Sequence, residues 1–84
     1  IMTMMKAKIN LTNYNNHKMG WTENATNIFF DENKVSFDTI ITTFGDIATR
    51  EFEQVESIKD YGNSIYIYAR NVLNDDKYRI IIYK

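Results

Sequence analysis

The sequence has no cysteine and no proline in its 84 residues. The absence of cysteine excludes disulfide bonds, thiolate catalysis and cysteine-ligated zinc, and it is typical of proteins in a reducing compartment. The absence of proline removes a common marker of rigid linkers between domains. We therefore expect residues 1–84 to form one small cytoplasmic domain that is held together by packing alone.

Histidine, glycine and long apolar runs are also scarce. The single histidine, His17, cannot build a zinc site of the usual kinds without cysteine, and three widely spaced glycines cannot form a phosphate-binding loop. The acidic pairs Asp31-Glu32 and Asp75-Asp76 lack the ligand spacing of a calcium loop and are typical of hairpin turns. No stretch reaches the roughly 20 apolar residues of a membrane span. These absences predict a protein that is not an enzyme, binds no cofactor or metal and does not enter a membrane.

The charge balance and the residue preferences narrow the function classes further. A formal net charge of -1 and a pI near 5.7 argue against non-specific nucleic-acid binding, which usually requires an excess of lysine and arginine. Isoleucine, asparagine, lysine and tyrosine are abundant, and their codons are rich in A and T. This bias indicates a bacterial or phage origin.

The clearest structural pattern lies at the end of the chain. Residues 64–70 alternate, with Ile65 and Ile67 on one face and Tyr66 and Tyr68 on the other. This period of two is typical of a half-buried strand. Residues 77–83 form a second β-type run after a polar connection, so we predict a C-terminal hairpin with its isoleucines facing the core.

The first half of the chain gives weaker strand signals. Residues 6–12 alternate and predict a first strand, whereas residues 13–27 are rich in asparagine and predict a long loop. We expect Trp21 in that loop to be pinned to the core, because a small domain needs the apolar area of an indole. Residues 27–30 and 34–37 predict a hairpin around residues 31–33, whose second arm extends through a β-branched run to Phe44.

The middle of the chain has two interpretations. Phe52, Val55 and Ile58 follow a helical spacing that predicts a helix over residues 46–59, starting at Asp46 and ending before Gly62. The resulting fold is α+β, a small antiparallel sheet of about five strands with one helix packed on one face. The alternative is an all-β roll or small barrel in which this helix shrinks to a turn.

Two surfaces are candidates for binding. The first is the outward face of the C-terminal hairpin, where aromatic and basic side chains alternate in a way that suits a protein interface or single-stranded nucleic acid. We call it the tyrosine–basic face, and its residues are Tyr66, Tyr68, Arg70, Lys77, Arg79 and Tyr83. The second is the acidic surface of the predicted helix, formed by Glu51, Glu53, Glu56 and Asp60. Either surface can also be no more than a solvated face.

The leading functional hypothesis is a non-catalytic binding protein that acts through a protein partner. Its most concrete version is a phage or mobile-element inhibitor of a host nuclease or defence complex, based on small size and composition. The alternative is a nucleic-acid-binding module that uses the tyrosine–basic face. A third hypothesis is a homo-oligomer in which edge strands of two copies pair.

Overall fold

The computed structural model describes residues 2–16, 20–41 and 43–84. In these residues the chain forms a closed barrel in which each strand pairs antiparallel with the next and the last pairs back with the first. Its strands are β1 (Met2–Asn13), β2 (Trp21–Phe30), β3 (Lys34–Ile40), β4 (Ile47–Asp60), β5 (Ser64–Asn71) and β6 (Lys77–Tyr83). The described residues include no helix that could cross a membrane.

The barrel corrects the α+β prediction. The residues assigned to a helix, 46–59, instead form almost the whole of β4, which pairs with β3 on one side and β5 on the other. The all-β small barrel, which was the alternative, fits the structure. Asp46 therefore caps no helix, and Gly62 with its φ of 94° closes the β4–β5 turn rather than a helix.

A β-bulge in β4 explains the misleading helical spacing. The register between β4 and β5 shifts between Glu53 and Ser57, and Gln54 adopts a left-handed φ of 52°. A bulge adds residues to one strand, so the alternation of inward and outward side chains breaks there. Phe52 before the bulge and Val55 within it both turn toward the core. Their spacing of three therefore resembles one face of a helix although the backbone is extended.

The asparagine-rich segment also holds more strand than we predicted. Strand β2 begins at Trp21, so only the part of the segment before it connects β1 to β2. Asn27 has a positive φ of 50°, and the register between β2 and β3 shifts beside it. Asparagine tolerates this conformation better than most residues. The abundance of asparagine thus reflects a bulge inside the strand as well as a loop outside it.

The inner face of the barrel is its only large apolar layer in the described residues. Ile65 and Ile67 of β5 lie opposite Ile82 and Ile80 of β6, and all four are almost fully buried. This confirms the predicted inner face of the C-terminal hairpin. The other strands close over it with these buried side chains: Ile9, Leu11, Ala25, Ile28, Phe30, Val35, Phe37 and Phe52. The barrel itself, rather than a helix, covers the isoleucines.

A polar cluster closes the end of the barrel near the β1–β2 loop. Arg50 donates from Nε and Nη2 to the carboxylate of Glu23 at 2.7 and 2.6 Å, a two-bond geometry that strengthens an ion pair. The indole nitrogen of Trp21 donates to Glu23 at 2.9 Å, and its ring meets the buried ring of Tyr78 edge-on. Trp21 is thus fixed to the barrel, as expected, although about 36% of its surface remains exposed.

Candidate binding surface

The six residues of the tyrosine–basic face lie on the outside of the barrel. Tyr68 pairs with Arg79 and Arg70 pairs with Lys77 across the β5–β6 hairpin. On its other edge β6 pairs with β1, which places Thr12 beside Arg79. The structure therefore brings these side chains onto one continuous three-stranded surface formed by β5, β6 and β1. Tyr66 and Tyr83 lie farther along it, toward the ends of the paired strands.

Two tyrosines of this face, Tyr68 and Tyr66, contact neighbouring aromatic rings. The ring centroids of Tyr14 and Tyr68 are 6.0 Å apart, and Lys77 Nζ lies 5.8 Å from the centre of the Tyr68 ring. Tyr61 meets Tyr66 edge-on at 5.2 Å. Such contacts limit rotamer freedom, so less side-chain entropy is lost when a partner docks.

An apolar residue lies beneath these side chains. Ile81 faces outward from β6, yet only 4% of its surface is exposed. Its cross-strand neighbours are Tyr66 on β5 and Asn10 on β1, with Arg79 and Tyr83 two positions away on its own strand. Long side chains that cover an outward-facing isoleucine form a packed layer, which distinguishes this surface from an ordinary solvated face.

Arg79 occupies the middle of the surface and makes weak contacts. Its Nη2 donates to the Thr12 hydroxyl at 3.4 Å, and among the described residues its Nε is buried with no acceptor. The hydrogen bond with Tyr14, followed by partial burial, raises the pKa of Tyr68 above its ordinary 10.0, while the nearby Arg79 charge opposes that rise. Tyr68 is therefore a neutral hydroxyl at physiological pH, and it leaves the charge of Arg79 without compensation.

The other two basic residues of the face are held by local partners. Lys77 forms a salt bridge with Glu56 at 2.8 Å, and this hydrogen bond and charge lower the pKa of Glu56. Arg70 donates from Nη1 to the backbone carbonyl of Asp75 at 2.9 Å. Lys77 is thus neutralised on the surface, and Arg70 is fixed at its edge by the β5–β6 loop.

The predicted acidic surface is divided in the structure. Glu51 and Glu53 lie exposed on strand β4 opposite Ser36 and Lys34 of β3. Glu56 is bound to Lys77, and Asp60 forms a salt bridge with Lys84 at 2.8 Å. The four carboxylates were expected on one helix, but they lie on a strand, where Glu56 and Asp60 form salt bridges and Glu51 and Glu53 form none among the described residues.

Sequence reasoning missed Tyr14, which belongs to the binding surface. Its amide donates to the carbonyl of Lys77 at 2.9 Å, and the side chain of Asn15 accepts the amide of Lys77. These two bonds fasten the β1–β2 loop to the start of β6 and place the Tyr14 ring against Tyr68. The β1–β6 pairing that creates this arrangement joins the two ends of the sequence. No local sequence pattern therefore predicts the position of Tyr14.

The remaining candidate groups from the sequence are the acidic pairs and His17. In residues 2–16, 20–41 and 43–84, no three acidic or histidine side chains form a group that could hold a metal ion. Asp31 accepts the amides of Asn33 and Lys34 at 2.8 and 2.9 Å, which confirms its predicted role in the β2–β3 turn. His17 lies outside the described residues.

A second exposed surface lies at the tip of the β3–β4 hairpin. Ile40 and Ile47 pair across the two strands, and both are about two-thirds exposed. Next to them Ile41 is also more than half exposed. This tip is apolar, and it lies on strands other than those of the tyrosine–basic face.

Comparison with protein-family models matched none of them, and no significant similarity was found to the curated proteins or to the solved structures that were compared.

Proposed function

We propose that this protein is a non-catalytic binding protein of the cytoplasm that engages a protein partner through the tyrosine–basic face. The observation that carries the proposal is the packed layer over Ile81, in which Tyr66 lies across from Ile81, and Arg79 and Tyr83 lie two positions to either side of it. Tyrosine and arginine are strongly enriched among residues that dominate protein-interface energies. An ordered layer of these residues suits recognition better than a loose solvated face does.

The geometry favours a protein over nucleic acid. Single-stranded nucleic acid binds by stacking bases on exposed aromatic ring faces. Tyr68, at the centre of the surface, already contacts Tyr14 and Lys77 with its ring. Its hydroxyl is bonded to Tyr14 and Arg79, so its ring edge remains for the apolar contacts that protein interfaces use. Nucleic-acid binding stays the second candidate, because the face combines tyrosines with cations.

The inhibitor hypothesis is the most specific form of this proposal. A small non-catalytic chain would act on a larger complex by occupying one of its surfaces, and a packed face on a closed barrel suits that role. The bacterial or phage composition agrees with a host nuclease or defence complex as the target. This form rests on size and composition rather than on any single contact.

The test is a pull-down from the native host with the tagged 84-residue chain, followed by mass spectrometry. The proposal predicts a partner that is captured by the unaltered chain and lost with Tyr66→Ala. Phe44→Ala is the matched control, because this exposed ring lies on the β3–β4 connection, away from the face. Circular dichroism establishes that each variant is folded.

Two results would contradict the proposal. One is a partner that is retained by Tyr66→Ala but lost with Phe44→Ala, since this would place the interface at the β3–β4 end. The other is tight binding of single-stranded DNA or RNA at low salt that Tyr68→Ala combined with Arg79→Ala abolishes.

The edge-pairing hypothesis concerns residues 2–7 of β1, which pair with β2 but not with β6. A strictly monomeric mass in solution would eliminate it.

A further inference from the structure

The charges of the barrel are segregated although the net charge is close to zero. Strands β5, β6 and β1 are consecutive around the barrel, and none of them contains an aspartate or glutamate. Their basic residues are Lys6, Lys8, Arg70, Lys77 and Arg79. Strands β2, β3 and β4 hold the carboxylates, which are Glu23, Asp38, Glu51, Glu53, Glu56 and Asp60. The strands of one side therefore carry cations only, while Glu56 of β4 pairs with Lys77 at their border and Asp75 and Asp76 lie in the β5–β6 loop.

Arg79 stands out among the cations of this side because its buried Nε has no acceptor among the described residues. A guanidinium has five N–H donors. The bonds of Arg79 within the described residues go to the neutral hydroxyls of Thr12 and Tyr68, and its Nε has no acceptor. An unpaired donor on a charged group is unfavourable. A carboxylate beside Arg79 would compensate its charge and accept from the Nη donors that the bonds to Thr12 and Tyr68 leave unused.

Two further cations flank Arg79 on the same surface. Lys8 of β1 pairs with Tyr83, and Lys59 at the end of β4 pairs with Tyr66. Strand spacings place their Cα atoms about 12 to 14 Å from that of Arg79. Neither lysine is in a salt bridge within the described part of the chain. The three unneutralised cations thus surround the tyrosines that form the packed layer.

We infer that the partner of the tyrosine–basic face presents an acidic protein surface, with one carboxylate bound by Arg79 between Tyr68 and Thr12. Lys8 and Lys59 attract further carboxylates at the rim of the same interface. This inference rests on the proposed function, since it names the chemistry of the partner that the face binds. Cations with no opposing carboxylate also accelerate the association of an anionic partner, and added salt reduces that acceleration.

A direct probe is a short fluorescein-labelled peptide of alternating glutamate and serine, matched with a peptide that has glutamine in place of glutamate. Fluorescence anisotropy with the 84-residue chain should show saturable binding of the acidic peptide, at least about tenfold tighter than that of the glutamine peptide at low salt. The preference should shrink as salt rises from about 20 to about 150 mM, because the Debye length shortens.

Variants of single cations locate the binding on the surface. Arg79→Gln should weaken binding of the acidic peptide by about tenfold, since it removes a charge-assisted hydrogen bond. Arg79→Lys should have an intermediate effect because it keeps the charge and loses the planar fork. Lys34→Gln is the control, because Lys34 lies on β3 opposite Glu53. It should change the affinity by less than about twofold, as expected for an exposed charge outside the interface.

The inference would be overturned if the two peptides bind equally, or if Lys34→Gln weakens binding as much as Arg79→Gln does. It would also be overturned if a short oligothymidine competes far better than the acidic peptide, which would indicate a nucleic-acid ligand. A partner that requires Tyr66 but tolerates both Arg79→Gln and salt would refute the inference and leave the proposed function intact. A chain that binds the acidic peptide through Arg79 but captures no partner through Tyr66 would refute the proposed function instead.

Discussion

Strand β4 and the C-terminal hairpin β5–β6 are neighbours in the barrel and differ in almost every respect. The hairpin keeps a strict alternation, with Ile65, Ile67, Ile80 and Ile82 inside and most of its tyrosines and cations outside. In β4 the alternation is broken by the bulge at Gln54, and the strand turns the charged Arg50 inward. Four carboxylates lie on β4 and none on the two strands of the hairpin, whose connecting loop carries Asp75 and Asp76. A regular strand thus carries the proposed interface, while an irregular one closes the barrel.

Strand β4 and the β5–β6 hairpin pack against the same hydrophobic core although their alternation patterns differ. Phe52→Ala in β4 and Ile67→Ala in β5 should each lower the free energy of unfolding by about 2 to 5 kcal/mol, because both remove side chains that are 1% exposed or less. Urea denaturation measures the loss. Glu51→Ala, an exposed neighbour of Phe52, should cost less than about 0.5 kcal/mol. Equal effects of Phe52→Ala and Glu51→Ala would show that β4 does not cover the core.

Loss of the ion pair between Glu23 and the inward-facing Arg50 of β4 should have the next largest effect on the free energy of unfolding. Glu23→Gln leaves Arg50 without its ion pair at the barrel end and should cost about 1 to 3 kcal/mol. Burial tends to raise the pKa of Glu23, but the hydrogen bonds from Arg50 and Trp21 and the Arg50 charge outweigh it, so the pKa lies below 4.5. The ionised carboxylate of Glu23 therefore contributes stability that is fully present above pH 4.5. That contribution is lost as the pH falls through the lowered pKa.

Urea denaturation of the unaltered chain and of Glu23→Gln at several pH values tests this. The difference in stability between them should be largest near neutral pH and should shrink below pH 4.5. Glu51→Gln controls for the loss of one exposed carboxylate. If the stability difference between the two proteins stays constant well below pH 4.5, the charge of Glu23 is not what stabilises the barrel end.

The bulge itself should give the smallest effect on stability. Gln54 holds a left-handed φ, which costs a residue with a side chain on the order of 1 kcal/mol or more. Gln54→Gly removes that strain and should raise the unfolding free energy by about 0.5 to 1 kcal/mol, after the entropy that glycine loses. Gly62→Ala is the converse control, because its φ of 94° disfavours any side chain and the variant should be destabilised. Destabilisation by Gln54→Gly would place a needed side-chain contact at this position.

The sequence predicted the regular parts of the molecule and failed where β4 departs from regularity. Alternation was sufficient to identify the C-terminal hairpin and its buried isoleucines. Arg50 concealed the alternation before the bulge, because an inward charge is recognisable only with its partner Glu23 on β2. After the bulge the spacing of Phe52 and Val55 imitated a helix. The closure of β6 onto β1 joins residues far apart in the sequence, and no local pattern encodes it.

The sequence likewise predicted part of the candidate surface and missed the rest. The tyrosine–basic face followed from the alternation of β5, and its outer position follows from the barrel. Tyr14 and Lys8 were missed because they reach the face only through the β1–β6 pairing. The sequence alone does show that the segments of β1, β5 and β6 contain no aspartate or glutamate. The meaning of this absence depends on those segments being neighbours, which only the strand order reveals.

Cross-saturation NMR of the labelled chain bound to its captured partner tests the central claim most directly, because it maps the amides that lie next to the partner. We expect attenuation on one side of the barrel, centred on Tyr66, Tyr68 and Arg79 and extending to β1. The apolar tip of the β3–β4 hairpin, with Ile40 and Ile47, should be unaffected. Attenuation centred on that tip, with none on β5 and β6, would contradict the account.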